Sequence, residues 1–205
     1  MQQRDDNTTS RRHCNSSVHP MYCLPTGAWV NIFNMNEIAK FDASSLFDRL
    51  VEMEITFENH EHPPLRTVAE SQALRGELPG VHIKNLFLRD KKRHYFLVTV
   101  REEREVDLKW LRHAIGAQGT LSFGSADALA DLLGVEPGAV TPLSVINDIE
   151  GVVTAFLDKS LMTADTVNAH PLRNDMTIAI ATADLERFMI AENHPPGFID
   201  LDTAD

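Results

Sequence analysis

Gly80-Val-His-Ile-Lys-Asn-Leu-Phe-Leu-Arg-Asp-Lys-Lys-Arg-His-Tyr-Phe-Leu-Val-Thr-Val100 holds two apolar runs separated by a knot of charge. Val81–Leu88 and Tyr95–Val100 are rich in β-branched and aromatic residues, which favour strands. The charged segment Arg89–His94 is short enough to reverse the chain, so an antiparallel hairpin is expected. Alternation along a strand then puts Ile83, Asn85 and Phe87 on one face. Lys84, Leu86 and Leu88 share the other. A lysine on an otherwise aliphatic face either snorkels at the strand end or lines a pocket. In a pocket it can hold a phosphate as a compact cation, or act as a base if burial lowers its pKa.

Outward from the hairpin, helices and strands are interspersed. Asp42 or Ser44 can cap a helix bearing Leu46, Phe47, Leu50 and Val51 at helical spacing. Glu54-Ile-Thr-Phe-Glu58 alternates as a short strand does. Val68 to Leu74 suits a helix stopped by Gly76, and Pro79-Gly80 a turn. On the other side, Asp107 caps a helix through Ala114, and Ser125 or Asp127 starts one that runs to Leu133 and is closed by Gly134. Leu143–Ile146, Val152–Leu157 and Met176–Ala181 read as strands, and a helix is expected from Asp184 through Ile190. The pattern predicts a single α+β domain with a mixed sheet.

The chain of 205 residues is 43% hydrophobic and 24% charged, with 10 Gly, 10 Pro and 2 Cys. That suits one globular domain and excludes collagen-like, low-complexity and disulfide-stapled chains. No apolar run reaches the ~18 residues of a membrane span. The formal charge of −11 argues against bulk electrostatic wrapping of duplex DNA. The charge is uneven, however. Met1–His113 carries 16 basic and 16 acidic residues, whereas Ala114–Asp205 carries 3 and 14. Within Lys84–Arg112 nine Lys/Arg face five Asp/Glu, so this stretch is the one candidate surface for a polyanion. A merely solvated loop at Arg89–His94 explains the same composition.

Residues 1–34 are polar, hold both cysteines (Cys14 and Cys23) and lack the apolar block of a secretory signal. We expect them to be a disordered extension, or Met35 to be a natural start, with the folded domain over 35–205. That domain has no cysteine, which suits a reducing cytosol.

The segment Gly134-Val-Glu-Pro-Gly-Ala-Val-Thr-Pro142 is either a helix cap followed by a turn or a loop whose bare amides approach a ligand. It is no nucleotide-hydrolase phosphate loop, because no Gly-Lys-Ser/Thr follows. His170, within Asn168–Asp175, can orient a substrate or shuttle a proton, though a lone loop histidine is more commonly structural. His60-Glu-His62 lacks the spacing that sets two metal ligands on one helical face. A Gly-x-Ser-x-Gly elbow is absent.

Taken in order, Gly80–Asp90, Leu121-Ser-Phe-Gly124, Gly138–Pro142 with Ser144–Asp148, and Asn168-Ala-His-Pro171 resemble the YbaK / prolyl-tRNA-synthetase-associated domain family, and within it the free-standing prolyl-tRNA editing proteins. The likeness runs over roughly residues 40–200, and residues 1–34 have no counterpart in it. It implies a compact α+β domain with a mixed, barrel-like sheet that hydrolyses the ester between a wrong amino acid and tRNA(Pro), most naturally alanyl-tRNA(Pro). It implies that Lys84 holds the terminal nucleotide, that Gly138 and His170 join it as catalytic groups, and that Asn85, Ala139, Val140, Thr141 and Pro142 bind the aminoacyl end. Asn147 and Asp148 would support the pocket. No cofactor and no metal are implied.

The expected partners are the acceptor end of mischarged tRNA(Pro) and, as a candidate, prolyl-tRNA synthetase, in the cytoplasm and away from membrane and DNA. The basic tip Arg89, Lys91, Lys92 and Arg93 is expected beside Lys84, on acceptor-stem phosphates. The whole reading asks that the Lys84 ammonium reach a small cavity walled by the glycine–proline bend. Two other activities stay open: deacylation of cysteinyl- or seryl-tRNA(Pro), and a non-catalytic module binding aminoacyl-tRNA or a synthetase.

Overall fold

The computed structural model describes residues 39–64 and 78–203, together with the backbone of two short strands nearer the N-terminus. Those two, Met21–Cys23 and Trp29–Asn31, pair antiparallel within a unit that ends at Ala39. The rest of the expectation for residues 1–34 lies outside the described residues, as does the helix expected at Val68 to Leu74. Among the described residues no helix is long and apolar enough to cross a membrane.

The second unit begins at Lys40. Helix α1 (Ala43–Glu52) is capped by Asp42, whose carboxylate accepts from the Ser45 amide while the Ser45 hydroxyl accepts from the Asp42 amide. The helix ends with Glu54 in the left-handed region (φ 55°), the Glu54 amide on Val51 O and the Ile55 amide on Leu50 O. This is a Schellman stop. It draws Glu54 and Ile55 into the helix end, so the strand expected over Glu54–Glu58 is displaced to β1 (Phe57–Glu61).

The expected hairpin is present as β2 (Val81–Arg89) and β3 (Tyr95–Arg101), in register from Ile83↔Arg101 to Arg89↔Tyr95. Helix α2 (Leu108–Ala114) is capped by Asp107. A two-residue strand, β4 (Ser122–Phe123), adds to the end of β2. Helix α3 (Ala126–Leu133) is capped by Ser125 and stopped by Gly134 (φ 65°). Leu143–Ile146, expected as a strand, lies within a 3-10 helix, Pro142–Asn147. Its turn is closed locally, by the Leu143 amide on Thr141 Oγ1 and the Ser144 hydroxyl on Thr141 O, and such local bonds compete with a ladder.

Then come β5 (Val153–Asp158), β6 (Thr166–Ala169), β7 (Met176–Ala181), α4 (Thr182–Ala191) and β8 (Gly197–Ile199). The strands form a mixed sheet in the order β8-β5-β3-β2-β6-β7-β1, with β4 also on β2.

Each face of the hairpin enters a different core. Phe87 and Leu97 pack with α1, α3, α4 and the 3-10 segment through Leu46, Leu133, Phe188 and Leu143. Leu88, Phe96, Val98 and Val100 pack with Leu111 of α2 and with Ile199. Each fully buried Leu or Phe contributes about 1.5–3 kcal/mol over an exposed one. A shift of register by one residue would exchange the two sets, so the hairpin's alignment is strongly specified.

Candidate functional site

The sheet opens at β2. Its parallel contact with β6 lasts two pairs, Val81↔Val167 and His82↔Asn168. Farther along the same edge, β4 takes over at Leu88↔Phe123. The Glu102 amide donates to His82 O on the hairpin side, while Phe87 O accepts from Gly124 on the other. By alternation, the backbone N–H and C=O of Ile83 and Asn85 point toward the edge between β6 and β4. The strands thus part just where Ile83 and Asn85 face Ala169 and His170.

A narrow cleft of about 30 Å³ sits in this fork, lined also by His82, Glu102, Asn168 and Thr177.

Asn85 is held from both ends of its amide. Oδ1 accepts from the Thr99 hydroxyl at 2.8 Å, and Nδ2 donates to Val140 O at 2.9 Å. The second bond ties the glycine–proline loop to the fork. Within that loop Gly138 has φ 97°, a region where a side chain is strained. The Ala139 amide donates to Glu136 O, and Ala139, Thr141 and Pro142 are buried. The loop also lines a wider cleft of about 340 Å³ with Leu172, Arg173, Asn174 and Asp175, the turn that follows His170. Asn85, the Gly138–Pro142 loop and His170 are therefore neighbours in space.

His170 Nδ1 lies 2.8 Å from Met176 O. A carbonyl only accepts, so Nδ1 carries the proton. Its ring is 6.1 Å from that of His62, whose Nε2 is 2.9 Å from the Thr177 hydroxyl. His62 and Thr177 escaped the sequence reading: they meet His170 only because β1 pairs with β7.

Lys84 follows the alternation to the other face. It is half-buried, registers with Val100 and lines neither of these two clefts. Val140 packs with the Phe87 core, whereas Leu86 and Val100, beside Lys84, pack with the Leu88 core. The single cavity walled by lysine and bend is corrected accordingly: by alternation β2 carries the lysine on the face opposite Asn85 and the bend.

Asn147 and Asp148 are buried supports. Asn147 Oδ1 accepts from the Phe41 amide, and Nδ2 donates to Phe41 O and Leu133 O. Asp148 accepts from the Val152 and Val153 amides and from His194 Nε2 at 2.9 Å. Burial raises the Asp148 pKa, but the hydrogen bonds from His194 and the two amides prevail and hold it below the usual carboxylate value. Burial likewise lowers the His194 pKa, and the bonds to Asp148 and to Glu192 O prevail and raise it.

Arg89, Lys91, Lys92 and Arg93 are exposed. Six residues at ~3.3 Å each put Lys91 about 20 Å from Asn85, so the tip stands at the far end of β2 rather than beside Lys84. Buried Asp90 shapes this tip by accepting from the Lys92, His94 and Gln118 amides and from His94 Nδ1. Burial opposes the charged carboxylate, but the Gln118 amide, the His94 amide and ring, and the Lys92 amide hold its pKa far below the usual range.

The fork sets a strand edge, a glycine-bearing loop and a histidine side by side. The aminoacyl-tRNA editing domain profile matches residues 62–188, and the chain belongs to that family. It is 40% identical over 69% of its length to 78% of the Prolyl-tRNA synthetase associated domain-containing protein 1 of Danio rerio. It is 36% identical over 75% of its length to 93% of the Prolyl-tRNA editing protein ProX of Acetoanaerobium sticklandii. A solved structure described as a candidate trans-editing enzyme for prolyl tRNA synthetase superposes with a TM-score of 0.59 at 19% identity, covering 79% of this chain and 98% of that one.

Proposed function

We propose that this chain is a trans-editing deacylase that hydrolyses mischarged tRNA(Pro), with the alanyl ester as preferred substrate. The observation that carries the reading is the Asn85–Val140 bond, which closes the glycine–proline loop against the fork opposite His170. An aminoacyl ester is already activated, so its hydrolysis asks for positioning and oxyanion stabilisation more than for a strong nucleophile. We assign the oxyanion to the amides of Gly138 and Val140, since that of Ala139 is engaged with Glu136 O.

Water, oriented by the adenosine 2′-hydroxyl and by backbone groups, adds to the carbonyl carbon. The bond from that carbon to the ribose oxygen then breaks, and the ribose oxygen takes up a proton. His170 holds the substrate at the mouth. Lys84, reaching around the open edge, holds the terminal nucleotide as a point charge. Asn147 and Asp148 support the pocket from the end of the 3-10 segment, and Arg89, Lys91, Lys92 and Arg93 meet acceptor-stem phosphates.

A small fork also suits the task. A synthetase site for proline rejects the smaller alanine weakly, at ~1–3 kcal/mol per methylene, and a second, tighter site then removes the error. Prolyl-tRNA synthetase is the natural partner and the cytosol the place of action, consistent with a folded unit free of cysteine.

The test is deacylation of tRNA(Pro) charged separately with alanine, cysteine, serine and proline. Alanine is expected to be released fastest and proline spared. Hydrolysis of none refutes the enzyme, and faster release of cysteine or serine refutes the substrate. Lys84→Ala should abolish release with the fold intact, and full activity in that variant would remove the lysine from the site. Reversing Lys91, Lys92 and Arg93 should weaken tRNA binding and flatten its salt dependence; unchanged affinity would end the assignment of the tip.

A further inference from the structure

Phe123 is an aromatic ring left in the open. It is 63% exposed on a two-residue strand, and it registers with Leu88, on the face of β2 that also carries Lys84. Its place is rigid. The Gly124 amide donates to Phe87 O at 2.9 Å, and a Cβ at Gly124 would stand 2.3 Å from the Phe87 ring, so this strand lies closer to β2 than any side chain there would allow.

The cations nearby are rigid too. The Lys91 amide donates to Gln118 O, and the Lys91 stem lies against Gly119, whose Cβ would be 3.0 Å from that of Lys91. Among the described residues, Arg49, Arg101, Arg104, Arg112, Arg173 and Arg187 all donate to protein partners. Arg89, Lys91, Lys92 and Arg93 share no ion pair with any described residue and stand exposed around the tip.

We propose that Phe123 and this hairpin tip form a docking track for an RNA stem with a single-stranded tail, in which an unpaired base of the tail stacks on the Phe123 ring while phosphates of the adjoining stem meet the tip. The inference rests on the editing reading and deepens it, giving the 3′ tail of the tRNA a path into the fork. Position and chemistry agree along β2. Phe123 lies level with Leu88, three residues or about 10 Å from Asn85, and the tip lies about 20 Å away. A fork that takes the 3′ end, an aromatic platform and a cluster of cations therefore follow one another along one strand. Sequence-tolerant binding of single strands uses this pairing of aromatic faces with cations.

The test uses an uncharged RNA stem-loop ending in a single-stranded ACCA tail, beside the same stem-loop without the tail, with 2-aminopurine placed in the tail. Phe123→Ala should weaken binding of the tailed RNA between about fivefold and 150-fold, the range of one lost base stack, and leave the blunt RNA unaffected. Phe123→Trp should restore binding, and wild type and Phe123→Trp, but not Phe123→Ala, should quench 2-aminopurine. Wild-type affinity in Phe123→Ala, equal weakening of both RNAs, or failure of Trp to rescue would each overturn the track. Because the RNA carries no ester, the result is independent of the deacylase reading. A protein that holds the tail through Phe123 yet hydrolyses no mischarged tRNA sinks the enzyme and keeps the track; the converse sinks the track alone.

Discussion

Replacing His194 with leucine tests how the end of the 3-10 segment is braced. Both ring nitrogens face acceptors: Nε2 lies 2.9 Å from Asp148 Oδ2, and Nδ1 lies 2.7 Å from Glu192 O. Carboxylate and carbonyl only accept, so both nitrogens donate and the ring is a cation, 5% exposed. His194→Leu leaves Asp148 as a buried carboxylate held by two amides alone. Removing one partner of a buried ion pair costs about 3–5 kcal/mol. For a domain of this length, that is a fall in Tm of about 6–20 °C.

The pH dependence has a fixed sign. The folded state raises the His194 pKa, so between the ordinary value of 6.5 and the raised one it binds more protons than the unfolded chain. This contribution is complete below pH 6.5 and is lost as pH climbs through the folded pKa. The lowered Asp148 pKa works on the other flank, where its contribution is complete above 3.8 and fades on acidification. Denaturant unfolding of wild type and His194→Leu at pH 6 and pH 9 should show a gap that narrows at the higher pH. A gap of equal size at both would mean that the ring is not held as a cation, and the reasoning would be wrong.

Asn85→Ala removes the bonds to Val140 and Thr99; it should lower kcat/KM for alanyl-tRNA(Pro) at least tenfold while costing only about 1–2 kcal/mol of stability in a melt. Gly134→Ala places a Cβ 2.7 Å from Asn147 Nδ2 at φ 65°, so a loss of at least about 1 kcal/mol is expected in urea unfolding, and a neutral outcome would show that the helix stop can relax. Asp90→Asn withdraws the charge that four donors share; the tip should loosen, read as faster amide exchange at Lys92, His94 and Gln118, and wild type should lose stability relative to this variant as pH falls below 3.8.

Local rules were legible. The hairpin, the Asp42, Asp107 and Ser125 caps and the Gly134 stop each depend on residues within a turn of one another, and all appear as read. Pro142–Asn147 misled because all six residues are buried, which erases any contrast of faces, and its Val-Ile pair favours a strand. β6 was hidden because Thr166-Val-Asn-Ala169 is short and mixed in polarity; all four residues pair antiparallel with β7, and two also pair with β2. In the candidate site, Asn85, the glycine–proline loop and His170 could be marked from their motifs. That Lys84 stands on the opposite face was implicit in simple alternation. What no local pattern holds is the fork: it exists because one edge of β2 changes partner midway, a property of topology.

The two-core arrangement of β2 and β3 bears on what this protein could become. Surface hairpins are the usual places for grafted peptides and length variation, because an extra residue at a tip commonly disturbs nothing beneath it. Here Asp90 binds both limbs of the turn, and each strand keys into two different interiors. Any lengthening that crept into the strands would present Lys84 where Asn85 belongs. The protein's most accessible protrusion is in that sense its least editable, and a designer seeking room for a new loop should look to the other end of the sheet.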